Sequence, residues 1–437
     1  MSIIEAKTKS EKSKESHKST VQTYARYKDS GVEWLDEIPE HWEVKRFKFL
    51  AEANKGKLPA KIVSNDESDL PPYMSMEYLR GGMENQWVKD KDALVIDSDE
   101  ILLLWDGSNS GEFLKSRKGV ISSTVAHIIY KGINKKYAWF HSKVLEAELR
   151  KNTIGMGIPH VNGRVLNNSS ICLPPFPEQT AIANFLDDKT TKIDQAIAIK
   201  QQQIALLKER KQILIHKSVT RGLDDTVALK DSGVEWIGEI PEHWNVFRNN
   251  TLFTEKNRMG TEGLPLLSVS IHTAVSNEEI DEEDNVRGRV KIEDKSKYKT
   301  VKPKDVVYNM MRAWQGAIGA VSVIGLVSPA YVVAEPKRDI DSAYFECLFR
   351  TSIFIDQMNK VSRGITDFRK RLYWNEFRNL MVIVPPLLEQ KQISDYIVTA
   401  SQKIDTAIAL KQQEIEKLKE YKGSLINSVV TGKVRVC

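Results

Sequence analysis

Arg363, Arg369, Lys370 and Arg371 fall within nine residues of one another, in "SRGITDFRKR". A second basic run, "DGSNSGEFLKSRKG", offers Asn109, Lys115, Arg117 and Lys118. "IGMGIPHVNGR" adds His160, Asn162 and Arg164, and "MRAWQGA" adds Arg312 and Gln315. Arg, Lys, Asn and Gln are the side chains that donate to base edges in a nucleic-acid groove, and flanking cations neutralise phosphates. The glycines among them would let the backbone approach a ligand closely. Any one of these residues has an ordinary reading as surface charge or turn chemistry. The clusters "SRGITDFRKR" and "LKSRKG" favour contact with DNA. Trp105 and Trp314 lie in apolar, strand-like runs and are expected in the core rather than as stacking platforms.

Catalytic chemistry finds little support. The sequence has no G-x-x-x-x-G-K-[ST] phosphate loop. "DLPPYMS" at Asp69 has the Pro-Pro-aromatic order of amino-methyltransferases, but Leu70 stands where a polar side chain would hold the target amine, so a turn is expected. "KIEDKSK" at Lys291 has nuclease-like acid-x-Lys spacing and reads as a solvated charge run. The eight histidines show no metal-ligand spacing. Cys172, Cys347 and Cys437 are widely separated, which fits a reducing cytosol and a cytoplasmic protein. No apolar run approaches a membrane span or a signal peptide. The net charge of +5 over 437 residues tilts only mildly toward a polyanionic partner.

The elements that must position these residues come in two copies. "DSGVEWLDEIPEHW" starts at Asp29 and "DSGVEWIGEIPEHW" at Asp231, an offset of 202. A block from Leu173, "LPPFPEQTAIANFLDDKTTKIDQAIAIKQQQIALLKERKQ", returns from Val384, an offset of 211. Each such block follows a Pro-Pro pair and runs about forty residues as a helix, roughly 60 Å long. Ile193, Ile197, Ile204, Leu207 and Leu214 form a sevenfold seam, as do Ile404, Ile408, Ile415, Leu418, Leu425 and Val429. Lys200, Lys211, Lys411 and Lys422 interrupt the seams at matching places and could fix register. Between the repeated blocks lie short strands and helices, with "KKYAWFHSKVLEAELRK" and "DSAYFECLFRTSIFIDQMNKVS" read as helical. Trp34, Ile38 and Trp42, with Trp236, Ile240 and Trp244, are expected to pack each opening segment onto its head, with His41 and His243 in structural roles.

The expected fold is α+β: two mixed α/β domains separated by two long antiparallel coiled-coil helices, related by a pseudo-twofold internal repeat. The expected boundaries are a flexible tail at 1–26, a first head at 27–176, a helix at 177–222, a second head at 223–386 and a helix at 387–437. Repeated blocks would meet the same thing twice, and the divergent middles would meet different things. A ruler with two unlike reading heads suits a bipartite DNA site with an unread spacer. The alternative is a non-DNA, pseudo-dimeric coiled-coil scaffold that pairs two protein partners and shows no salt-dependent DNA affinity.

The two opening segments, and the twice-occurring Pro-Pro-x-x-Glu-Gln entry to a Lys/Gln-rich helix, resemble the specificity subunit of type I restriction-modification enzymes. "VVYNMMRAWQGAIG", "GLVSPAYVV", "SRGITDFRKRLYWNEFRNL" and "LLLWDGSNSGEF" resemble that family's target recognition domains. The resemblance runs from about Tyr27 onward. It implies a non-catalytic subunit, each head of which reads half of an asymmetric bipartite site on double-stranded DNA. It also implies two methyltransferase subunits and further motor-nuclease subunits as partners. S-adenosylmethionine for adenine methylation, and ATP with Mg for translocation and cleavage, would belong to those partners.

Overall fold

The structure is a computed structural model that describes residues 22–64, 69–277, 295–364 and 370–436. Residues 1–21 of the tail, 291–294 of "KIEDKSK", Arg369 and Cys437 lie outside the described residues. The chain divides into two compact units, residues 1–199 with 413–437, and residues 200–412. The α+β class expected from the sequence is the class observed. No helix among the described residues is long and apolar enough to cross a membrane.

In the first unit, β1 (Tyr27–Asp29) and β2 (Glu37–Pro39) form a small antiparallel hairpin from the repeated opening segment. Trp42 follows it and is fully buried. β3 (Glu43–Arg46) pairs with Ser170–Leu173, the strand that leads into the central helix. The main sheet consists of β4 (Ala51–Lys55), β5 (Ile101–Leu104), β6 (Phe113–Lys115) and β7 (Val125–Tyr130), in the antiparallel order β4-β7-β5-β6. Every residue of β5, "ILLL", is buried. Strand side chains alternate between faces, so Ile101 and Leu103 enter the large core around Trp42 while Leu102 and Leu104 enter a smaller one with Met74 and Tyr78. α1 (Lys135–Lys151), the "KKYAWFHSKVLEAELRK" segment, is capped by the Asn134 side chain and covers the large core.

The second unit repeats this plan. β8 (Phe253–Lys256), β9 (Val306–Asn309), β10 (Ile318–Ala320) and β11 (Tyr331–Pro336) stand in the order β8-β11-β9-β10. Val306 and Tyr308 enter one core and Val307 another. The expected single helix over "DSAYFECLFRTSIFIDQMNKVS" is two, α3 (Ser342–Phe349) and α4 (Ser352–Val361). The break has a cause at each of its two residues. The Arg350 guanidinium donates to the carbonyls of Ser270, Ile271, His272, Gly316 and Ile318. Thr351 then caps α4 by accepting from the Phe354 N–H.

Two long helices, α2 (Phe176–Arg221) in the centre and α5 (Leu387–Val430) at the C-terminus, contribute to both units. In the first unit Ile182, Ala183 and Leu186 share a core with Ile426, Val429 and Val430. The same two segments are joined further along by Lys422 Nζ on both carboxylate oxygens of Asp194, at 2.7 and 2.6 Å. The helices therefore run antiparallel there. In the second unit Lys211 makes the same contact with Asp405, at 2.8 and 2.7 Å. Lys211 and Lys422, read from sequence as seam interruptions, thus each find a carboxylate on the opposite helix.

Residues 22–26, counted with the flexible tail in the sequence reading, are held in place. The Tyr24 hydroxyl donates to Glu178 at 2.5 Å, its ring meets Trp42 edge-on, and the Arg435 N–H donates to the Gln22 carbonyl at 2.8 Å.

His141, on α1, is fully buried, and its Nε2 accepts the Cys172 N–H at 3.1 Å. Burial pushes its pKa down from 6.5 to about 3. Between these values the unfolded chain binds a proton that the folded chain does not, so stability falls as pH drops from 6.5 toward 3. The first unit is expected to lose about 2 kcal/mol between pH 7 and pH 5 from this group alone. Urea unfolding at the two pH values checks it, and His141→Gln is expected to flatten the difference.

Candidate nucleic-acid interface

The sequence-predicted donors gather where two loops meet, once in each unit. In the first unit the β5–β6 loop lies beside a short hairpin closed by reciprocal backbone bonds between Ile154 and His160, at 2.9 and 2.7 Å. The Val161 N–H donates to the Trp105 carbonyl and the Gly107 N–H to the Pro159 carbonyl, which locks loop to hairpin. In the second unit the β9–β10 loop lies beside a backbone bridge between Arg363 and Arg371, at 2.9 and 2.8 Å. There the Leu372 N–H donates to the Met310 carbonyl. His160 and Arg371 therefore hold equivalent positions, as do Ile154 and Arg363.

Asn109, on the β5–β6 loop, is exposed, and so are Lys118 and Arg164. Lys115, at the end of β6, is also exposed and pairs with Asp99 at 2.6 Å. His160 Nδ1 is 2.6 Å from Asp106, whose other oxygen takes Lys55 at 2.8 Å. Partial burial works to raise the Asp106 pKa, but the hydrogen bonds from Lys55 and His160 outweigh it and hold the carboxyl below its ordinary range. This small network fixes the floor between loop and hairpin.

Two predicted contacts are used inside the protein. Asn162 caps the short helix Gly163–Asn168, its side-chain oxygen accepting from the Arg164 and Val165 N–H groups. Arg117 stacks on Tyr78 and donates to the carbonyls of Tyr78 and Gly82, at 3.1 and 2.7 Å. These bonds hold the Tyr78–Gly82 turn against β6 and turn the guanidinium inward.

In the second unit Arg312 and Gln315 are exposed on the β9–β10 loop, which closes through Gly316 at a φ of +96°. A Cβ there would come within 2.9 Å of Ile355, so glycine is needed both for conformation and for space. Lys370 lies 5.1 Å from the centre of the Trp314 ring and donates to Asn359. Trp314, expected in the core, is instead half-buried beneath this cation, and Trp105 is partly buried against the first core. Arg371 donates to the Lys370 carbonyl, and Arg363 pairs with the largely buried Glu376 while remaining mostly exposed.

Sequence reasoning did not foresee the work of the repeated Glu-Gln pair. Glu178 accepts from Tyr24 and binds His41 at 2.8 Å. Gln179, buried, accepts the Asn134 N–H at 2.9 Å and donates to the Pro174 carbonyl at 2.8 Å. Glu389 binds His243 at 2.8 Å and the Trp244 indole at 3.0 Å. Gln390 accepts the Asp341 N–H at 2.9 Å and donates to the Pro385 carbonyl at 2.8 Å. The pair ties three chain segments together at the start of each long helix and so orients α1 in the first unit and α3 in the second, through their cap residues Asn134 and Asp341. The joint recurrence of His, Glu and Gln in both copies was the available signal.

Comparison with known proteins agrees with this geometry. The family described as type I restriction modification DNA specificity domain matches residues 39–209. The type I restriction enzyme MjaVIII specificity subunit of Methanocaldococcus jannaschii is 30% identical over 430 residues, covering 91% of this chain and 94% of its own length. The type I restriction enzyme EcoBI specificity subunit of Escherichia coli is 22% identical, over 71% of this chain and 66% of its own length. A chain from a solved structure of the type I R-M system superposes with a TM-score of 0.63 at 12% identity, covering 90% of this chain and 98% of that one. With near full-length similarity at this level, the chain belongs to the family of type I restriction enzyme specificity subunits.

Proposed function

We propose that this chain is the DNA-reading subunit of a type I restriction-modification assembly and carries no catalytic site of its own. Each unit reads one half of a bipartite, asymmetric site on double-stranded DNA. The observation that carries this reading is the repeated pairing of a sheet loop with a short backbone-bridged segment, whose exposed donors differ between units: Asn109, Lys118 and Arg164 in one, Arg312 and Gln315 in the other. One scaffold built twice, with unlike tips, suits two unlike half-sites. The long helices set the unread spacer, and their exposed faces dock two methyltransferase subunits. Those partners supply S-adenosylmethionine chemistry, and motor-nuclease subunits supply ATP- and Mg-dependent translocation and cleavage.

Mapping adenine methylation across the host genome, with and without this gene, tests the proposal. One bipartite motif is expected to lose its methylation on deletion and to regain it on complementation. Unchanged methylation in cells that express the whole system would overturn the reading and return the protein-pairing scaffold to first place.

A further inference from the structure

The bridged segments that occupy equivalent places in the two units differ sharply in chemistry. The second unit's is closed by Arg363 and Arg371, with Lys370 alongside. The first unit's hairpin runs Ile154-Gly-Met-Gly-Ile-Pro-His160 and carries no acid, Lys or Arg. Its three large side chains face solvent: Ile154 is 53% exposed, Ile158 62%, and Met156 as exposed as in an extended peptide. Apolar side chains grouped this way on a protruding turn need an occupant. The backbone is built for the turn. Gly155 has a φ of +110°, and a Cβ there would stand 2.5 Å from the Ile158 carbonyl oxygen. Reciprocal Ile154–His160 bonds and the His160–Asp106–Lys55 network fix its base.

We propose that this hairpin reads thymine methyl groups in the major groove of the first half-site, with Met156 and Ile158 as the contacting side chains. The inference rests on the DNA-reading function proposed above and adds the base chemistry of one head. Two observations select this occupant. The hairpin stands where the other unit places the Arg363–Arg371 bridge, and its Pro159 carbonyl takes the Gly107 N–H of the loop that carries exposed Asn109, so it shares the surface assigned to DNA. Its own lack of Lys and Arg makes it unsuited to gripping phosphate, whereas the thymine C5-methyl is the apolar feature that a base pair shows in the major groove. The half-site read by the first unit is therefore expected to contain at least one essential A·T pair.

The test uses the assembled modification enzyme and synthetic duplexes carrying the mapped site. Thymines in each half-site are replaced one at a time by deoxyuridine, which removes only the methyl. At one or more positions of the first half-site, deoxyuridine is expected to weaken binding roughly fourfold, the value of one buried methyl group. Met156→Ala or Ile158→Ala should weaken binding to thymine DNA and be indifferent to deoxyuridine at the same position. Discrimination in the second half-site should stay intact and reports that the variant is folded. A first half-site without A·T pairs, or variants that bind thymine and deoxyuridine DNA as the wild type does, would overturn the inference while leaving the DNA-reading function standing. Variants that fail to assemble with the methyltransferase subunits would assign the hairpin to a protein contact instead. Absence of any sequence-specific binding by the wild-type assembly would reject the function itself.

Discussion

Alanine at Gln390 is expected to destabilise the second unit by about 2–6 kcal/mol, while the first unit keeps its stability. The Gln390 amide is buried and makes two hydrogen bonds: it accepts from Asp341 N–H and donates to Pro385 C=O. Its loss strands one buried and one partly buried backbone group, at about 1–3 kcal/mol each. Asp341 is also the cap of α3, so the defect reaches the helix that carries Tyr344. Gln390→Glu keeps the acceptor but sets a buried carboxylate oxygen against the Pro385 carbonyl, and near neutral pH it should cost at least as much as alanine. Gln179→Ala is the converse experiment for the first unit. Hydrogen exchange along both units under mild urea separates the effects. Equal loss of protection in the two units would show that the Glu-Gln pairs do not act locally.

Alanine at Arg312 and Gln315 together should relax recognition of one half-site and leave the other unaltered. Both side chains are exposed on the β9–β10 loop, so their loss disturbs no core. A good bidentate base contact is worth about 1–3 kcal/mol of discrimination. Two would give about 2–6 kcal/mol, or roughly thirtyfold or more in preference at the affected positions. Binding to a library of duplexes randomised in each half-site, at fixed salt, measures it directly. A uniform loss at all positions would mean that the two residues contact phosphates, and the salt slope would fall accordingly.

The repeats made the architecture legible. Two copies of the opening segment and of the Pro-Pro-led helix announced a duplicated plan, and the helix over Lys135–Lys151 could be read from its uninterrupted pattern. What local pattern could not show was which polar residues the fold keeps for itself. Asn162 has the composition of a base reader, yet it precedes a helix, where an Asn cap satisfies free N–H groups. Arg117 sits in the most basic run of the first head, but its partners are the carbonyls of Tyr78 and Gly82, far away in sequence. The break between α3 and α4 depends likewise on carbonyls brought to Arg350 from residues 270–272 and 316–318. Arg312 and Gln315 stay exposed because a loop between two buried strands has little choice but to face outward.

The tyrosine on each head's helix carries a last consequence. The Tyr137 hydroxyl lies 2.9 Å from the Cys172 carbonyl and 3.3 Å from that of Val430, and Val430 belongs to the first unit's core. Tyr344 makes the matching contacts with Val219 and Ile383, all within residues 200–412. During synthesis the ribosome therefore finishes the second unit from one continuous stretch, while the unit that emerged first waits for residues 413–437 to be translated. A premature stop near residue 412 would leave the later-made half of the protein whole and the earlier-made half without its closing segment.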